Sequence, residues 1–450
     1  MLLDRPVELD TSPMLRSERR VVITGLGLIT PIGIGASAVW SSLASARGAV
    51  GRVKSFPVQG LPIDAAAEVV NFDPKAHALP QHKKALSKSL KYMARDIQLA
   101  VAAAELAFAD SGLANGGIDP TRFGVDLGAG LISTELDELA PAINLATDDD
   151  DTFDYEIYGR EGLKQIPPIW MLKYLPNMLA CHISILLDCQ GPSNTITEAE
   201  AASNVAIGEA VRIIAKGRAD VMISGGADSK IHPISMIRMS LLGQMSHWEG
   251  DPSQACRPFD TQRDGWVVGE GAGILILEEY EHAKARGARI YGEILGFGSG
   301  CDANPAGGLD PDGIGTEIAI RAALKDAGIR PEEVGHVNAH GAGTVESDLA
   351  EARAFARIFG PFGVPVTALK GYMGNGVSGC GAMELLSSLI GVNQGLIPPA
   401  INCDEPDPAC QIDIVRNVPR RTDNPIFVNT NLTRHGQAAA LVVRGQSFAG

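Results

Sequence analysis

The chain has 450 residues, 45% of them apolar and 51 of them glycine, with a formal charge of −15. That length and composition describe a compact α/β protein of two core-bearing units or one large duplicated one. The acidity argues against nucleic acid or an anionic membrane surface as a main partner. Seven cysteines, at 181, 189, 256, 301, 380, 403 and 410, show neither a Cys-x-x-Cys spacing nor a dense framework. They read as buried reduced thiols of a cytoplasmic protein, with no metal site and no cofactor expected.

Residues 1–18 read as a polar tail. The first 20 residues carry charges from Asp4 to Arg20 and no apolar core, so no signal peptide is expected, and no apolar run reaches membrane-spanning length. Residues 21–27 form a short apolar strand ending in glycines, followed by an amphipathic helix around 38–46. Gly25-x-Gly27 has the outline of a dinucleotide fingerprint. The third glycine and a ribose-binding acid are not placed, so the pattern reads as a tight turn into a packed helix. Residues 82–111 read as one long helix, basic and exposed at Lys83, Lys84, Lys88 and Lys91, then alanine-rich and buried.

Residues 123–130 read as a core strand. From 131 to about 175 the composition shifts to a surface excursion holding four consecutive acids, Asp148 to Asp151. Without the glycine and terminal bidentate acid of a calcium loop these read as solvated. Strands are predicted at 221–228, 274–279, 290–297, 337–340, 364–370 and 441–443, with a helix at 315–328. The alternation restarts near 285, which suggests a duplicated α/β unit, 19–284 and 285–450, visible in element order but not in residue identity.

The stretch Gly191-Pro192-Ser193 to Asn204 carries the chemistry. Polar and small residues lead into an alanine-rich helix over 201–210, where a side chain at the first turn meets unpaired N–H groups and the positive end of the helix dipole. Together with Val21-Val22-Ile23-Thr24-Gly25-Leu26-Gly27 and the block Pro258-Phe259-Asp260 to Gly273, it resembles the β-ketoacyl-acyl-carrier-protein synthases. The resemblance covers about 20–445. It implies a thiolase-like five-layered αβαβα fold of two pseudo-repeats and a dimer around the central sheets.

The resemblance also assigns roles, position by position. Glu200 stands where the family has its acyl-accepting cysteine. His340 matches the first active-site histidine, and Asp348 and Glu351 match structural acids. Lys370 matches a buried lysine expected to pair with Glu351. Asn375 stands in place of the second histidine, as in the Cys-His-Asn arrangement of the chalcone-synthase branch. The gating loop is replaced by Thr433-Arg434-His435-Gly436. Cys380 falls where the family has a small packing residue. A carboxylate is a poor acyl carrier. If two backbone donors hold Glu200 ionised, it plugs the oxyanion hole. The resemblance then implies a non-condensing, chain-length-factor-like subunit partnered by an active ketosynthase, or, as a homodimer, a malonyl-carrier-protein decarboxylase or other stand-alone acyl-carrier-protein enzyme using His340 and Asn375. The four lysines are candidates for docking an acidic acyl carrier protein.

Overall fold

The computed structural model describes residues 19–61, 63–305 and 307–446; the tail expected at 1–18 lies outside the described residues. Ten strands carry the architecture. In the first half they are β1 (Val21–Thr30), β2 (Phe123–Gly128), β3 (Ser193–Ile196), β4 (Val221–Ser229) and β5 (Val268–Glu279). In the second half they are β6 (Gly292–Cys301), β7 (His336–Ala339), β8 (Pro365–Ala368), β9 (Ile426–Leu432) and β10 (Gln437–Gly445). The helices that matter are α1 (Lys83–Ser89), α2 (Arg95–Asp110), α3 (Ala202–Ala215), α4 (Pro233–Leu241), α5 (Ile314–Ala327), α6 (Val345–Phe359) and α7 (Cys380–Val392).

The first half orders its strands β3-β2-β4-β5-β1, parallel across β3, β2 and β4 and antiparallel thereafter. The second half orders them β8-β7-β9-β10-β6 with the same sequence of parallel and antiparallel pairs. A short antiparallel ladder, Val21↔Ile294 to Ile23↔Gly292, joins the halves. Three apolar clusters separate five layers. One lies under α2, one under α5 and α6, and a central one holds α3 and α7 between the sheets.

The duplication reaches residue identity after all. A Cβ on Gly25 or Gly27 of β1 would collide with the carbonyl oxygens of Ala107 and Ala103 in α2. A Cβ on Gly296 or Gly298 of β6 would collide in the same way with Ala323 and Ala319 of α5. Alternate glycines on one strand face let the backbone of an alanine-faced helix lie directly on the sheet. The glycines at 25 and 27 therefore sit inside a strand, not at a turn.

Two further expectations are corrected. The helix read over 82–111 is broken, because Ala94 is extended (φ −65, ψ 170) between a 3₁₀ turn at Leu90–Tyr92 and α2. Arg95, at the start of α2, reaches Glu270 and the carbonyl of Val69, which fixes the break. The cysteines are all free, but they are not all buried: Cys301, at the end of β6, is exposed. Helix α7 left no periodic signal because every one of its residues is buried.

Candidate active site

The candidate residues gather where strand ends of both halves meet the heads of α3 and α7. Glu200 lies in a 3₁₀ turn, Ala199–Ala201, just before α3. Ala199 holds a left-handed φ of 43°, a strained conformation for a residue with a Cβ. Asn375 approaches from the loop leading into α7 and Cys380 is the first residue of that helix. Asn375 Nδ2 donates to Glu200 Oε1 at 3.3 Å, and Cys380 Sγ donates to the backbone oxygen of Glu200 at 3.7 Å. Asn375 is itself held by backbone bonds to Val267 and Gly269, and its Oδ1 accepts from Val377 N at 3.0 Å.

Glu200 holds only part of the donor set that an ionised plug would use. Among the described residues its donors are its own backbone N–H and the Asn375 amide, and its buried Oε2 has no hydrogen-bond partner. Burial pushes its pKa up, with Asp228 adding to the shift, while Asn375 and Lys370 oppose it. Leaving one oxygen of a carboxylate buried and unpaired is costly, and the shift runs toward the neutral acid. Burial likewise pushes the Cys380 thiol well above its ordinary value.

His340 and Lys370 leave the ends of β7 and β8. Lys370 Nζ donates to Glu384 Oε1 at 2.6 Å and to the His340 carbonyl at 2.7 Å, and it lies 3.1 Å from His340 Nδ1. The expected Lys370–Glu351 ion pair is therefore replaced by Lys370–Glu384, with both side chains buried. Glu351 instead accepts the backbone N–H groups of His340 (2.7 Å) and Gly341 (2.9 Å), clamping the loop that carries the histidine. Burial raises its pKa to about 8. Asp348 does the same one step along, accepting from Phe259 N and Gly343 N, with Arg263 at 3.6 Å. Its pKa rises to about 6.

With an ammonium at Nδ1, His340 carries its proton on Nε2. Burial, with the Lys370 charge second, holds its pKa well below the usual range. It is a neutral hydrogen-bond donor. An oxygen that gains negative charge beside Nε2 and the Asn375 amide would be stabilised.

Two residues missed in the sequence complete the cluster. Glu384 sits in α7 and is the acid that the buried Lys370 demands, the place the sequence reading gave to Glu351. Asn431, in β9, donates to Glu384 Oε2 at 2.8 Å. Its signal was Asn429-Thr430-Asn431, two amides on one face of an otherwise apolar strand. Thr433 shapes a closed turn: its N–H donates to Gln437 O at 2.8 Å and its hydroxyl meets Gln437 Oε1 at 2.5 Å. Lys83, Lys84, Lys88 and Lys91 are exposed on and just after α1, and among the described residues none pairs with a carboxylate. They stand apart from the contacts above; α1 is anchored at its head through His82 to Glu105 of α2. Asp148 to Asp151 form an exposed turn. Among the described residues no cluster of three or more His, Cys, Asp or Glu could hold a metal ion, and no helix is long and apolar enough to cross a membrane.

A duplicated five-layered α/β fold with a histidine, a lysine and an asparagine gathered at the heads of its two middle helices defines a thiolase-like protein. Comparison with known families makes this specific. "Beta-ketoacyl synthase, N-terminal domain" matches residues 18–283 and "Beta-ketoacyl synthase, C-terminal domain" matches 291–404, and the chain belongs to the beta-ketoacyl synthase family. It is 33% identical over 418 residues to 3-oxoacyl-[acyl-carrier-protein] synthase 2 of Vibrio cholerae, covering 92% of this chain and 96% of that one. Among solved structures it is similar to the ishigamide ketosynthase/chain length factor, with TM-score 0.81, 30% identity and coverage of 95% and 99%. It is also similar to a type II PKS acyl-carrier protein in complex with its ketosynthase bound to the hexaketide, with TM-score 0.80, 28% identity and coverage of 95% and 100%.

Proposed function

We propose that this chain is a non-condensing member of the family, a chain-length-factor-like subunit that pairs with an active ketosynthase in type II polyketide or fatty-acid-like biosynthesis. The observation that carries this reading is Glu200. A carboxyl group stands at the head of α3, and the thiol bordering it, Cys380, is buried and hydrogen-bonded to Glu200's own backbone. Neither group is a soft, accessible thiolate able to hold an acyl chain.

The pairing is supported by the surface. The open edge of β3, which pairs on one side with β2, exposes Ser193 and Asn194. Exposed apolar side chains run through the 131–175 excursion and α4, among them Leu131 (59%), Met171 (59%) and Leu241 (81%). Ser133 and Glu135 of the excursion contact Ser235 and His232 at the start of α4, which joins the two segments. Edge strands and apolar patches of this kind are covered in functional assemblies. The similar solved structures include a ketosynthase/chain length factor and a ketosynthase in complex with its acyl-carrier protein. The experiment is isolation of the native protein with its bound partners. Recovery in equal amount with a cysteine-bearing ketosynthase supports the reading, and a homodimer free of any ketosynthase overturns it.

One observation favours a second reading, malonyl-carrier-protein decarboxylation by a homodimer. His340 is fixed as a neutral Nε2–H donor within the same site as Asn375. In that reaction the bond from the malonyl α-carbon to its carboxylate breaks and carbon dioxide leaves. The electron pair becomes a thioester enolate, whose oxygen His340 and Asn375 would stabilise until the carbon is protonated.

A further inference from the structure

A run of four fully buried asparagines ends on the histidine. Asn338 Nδ2 donates to Asn429 Oδ1 at 3.0 Å, Asn429 Nδ2 to Asn204 Oδ1 at 3.0 Å, and Asn204 Nδ2 to Asn431 Oδ1 at 2.8 Å. The direction of every amide is pinned. Asn338 also donates to the Glu384 backbone carbonyl and Asn429 to that of Gly381. At the far end Asn431 must turn its N–H to the Glu384 carboxylate, since a carbonyl oxygen 2.8 Å from it would repel. What remains of the Asn431 amide faces His340 Nδ1 at 3.3 Å and Cys380 Sγ at 3.5 Å.

We propose that Asn431 is a positioning residue that fixes the tautomer of His340 and ties it to the helix carrying Glu200 at its head. The donor count supports this. Lys370 has three N–H bonds and three acceptors: Glu384 Oε1, the His340 carbonyl and His340 Nδ1. Asn431 occupies the second oxygen of Glu384. That keeps Glu384 from closing on Lys370 with both oxygens and drawing the ammonium off the ring. Both groups near Nδ1 are donors, so a proton there would meet N–H groups and the ring keeps its hydrogen on Nε2. Asn204 lies in α3 four residues after Glu200, so the ladder also joins the first half of the fold to the second. The other charged groups around the ring are Lys370, Glu384 and, on the backbone side, Glu351. The inference holds whether or not the chain condenses and whatever its partner is.

The test is nitrogen NMR of [15N]histidine-labelled protein, with His340 assigned among the nine histidines by comparison with His340→Gln. The starting protein should show one protonated and one unprotonated ring nitrogen for His340, unchanged between pH 5.5 and 8.5. Asn431→Asp keeps the shape and the bond to Asn204 but places an acceptor toward Nδ1. It should move the proton to Nδ1 or make the ring titrate, raising its proton affinity at least about tenfold. Asn431→Leu, which buries no new polar atom, should give a mixture of tautomers and serves if the aspartate variant does not fold. A pure Nε2–H ring in either folded variant, unchanged across that pH range, overturns the proposal.

Discussion

The sulfur of Cys380, the first residue of α7, lies 3.7 Å from the backbone oxygen of Glu200, just ahead of α3. The two helices are equivalent in the duplicated fold, each following the third strand of its half, so the site is the point where the repeat meets itself. Its stability and its chemistry are built from the same contacts.

The Lys370–Glu384 pair is the first of these. Both groups are fully buried, and removing one partner of such a pair leaves an uncompensated charge, at about 3–5 kcal/mol. Glu384→Ala should destabilise by that amount in urea unfolding. Glu351→Gln, which keeps one acceptor for the two backbone donors, should lose about 1–3 kcal/mol. Equal losses, or a larger one at Glu351, would contradict the assignment of the ion pair.

The glycine-faced strands make a paired prediction. Gly27→Ala in β1 and Gly298→Ala in β6 each drive a methyl group into a helix carbonyl. Over-packing of this kind costs about 1–3 kcal/mol. Both variants should lose stability, whereas Gly51→Ala, where the space is open, should not. Thermal denaturation of the three variants decides it; a neutral Gly27→Ala would mean the helix can lift off the strand.

Asp126, in β2, gives a pH dependence. Among the described residues neither of its buried carboxyl oxygens has a hydrogen-bond partner, and burial raises its pKa from 3.8 to about 7, with Glu209 adding to the shift. Between those values the folded state keeps a proton that the unfolded chain has released. Stability therefore falls as pH rises through the window, by at most about 1.4 kcal/mol per pH unit. Asp126→Asn should flatten the slope of unfolding free energy between pH 4 and 7. An unchanged slope would show that Asp126 is not the group responsible.

Lys83, Lys84, Lys88 and Lys91 are proposed to meet an acidic carrier protein. Reversing Lys84 and Lys88 to glutamate should weaken carrier binding severalfold at low salt, with the difference shrinking at high salt. Binding by the variant that matches the starting protein at both ionic strengths would leave these lysines as a solvated helix face.

What was legible in the sequence was local. The apolar run from Val21 marked a strand and the alanine run after Glu200 marked a helix, because both show within a few residues; that the strand runs on through Gly25 and Gly27 to Thr30 did not. Partners that meet across the fold were not legible. Lys370 was matched to Glu351, and only the packing of α7 between the two sheets brings Glu384 to it instead. Asn431 acquires its role from Asn204, 227 residues away. Helix α7 is buried on every side and has no polar face to betray its period. The break at Ala94 is set by Arg95 reaching Glu270, again a contact made only in the folded chain.

With Glu200 at the head of α3 and Cys380 buried against it, no thiolate stands ready to carry an acyl chain. Incubation of the isolated protein with acyl- and malonyl-carrier protein, followed by intact and peptide mass spectrometry, measures this directly. The expected result is no acyl adduct at Glu200 or Cys380 and no β-ketoacyl product. A stable acyl adduct on either residue, or β-ketoacyl product formed by this chain alone, would contradict it.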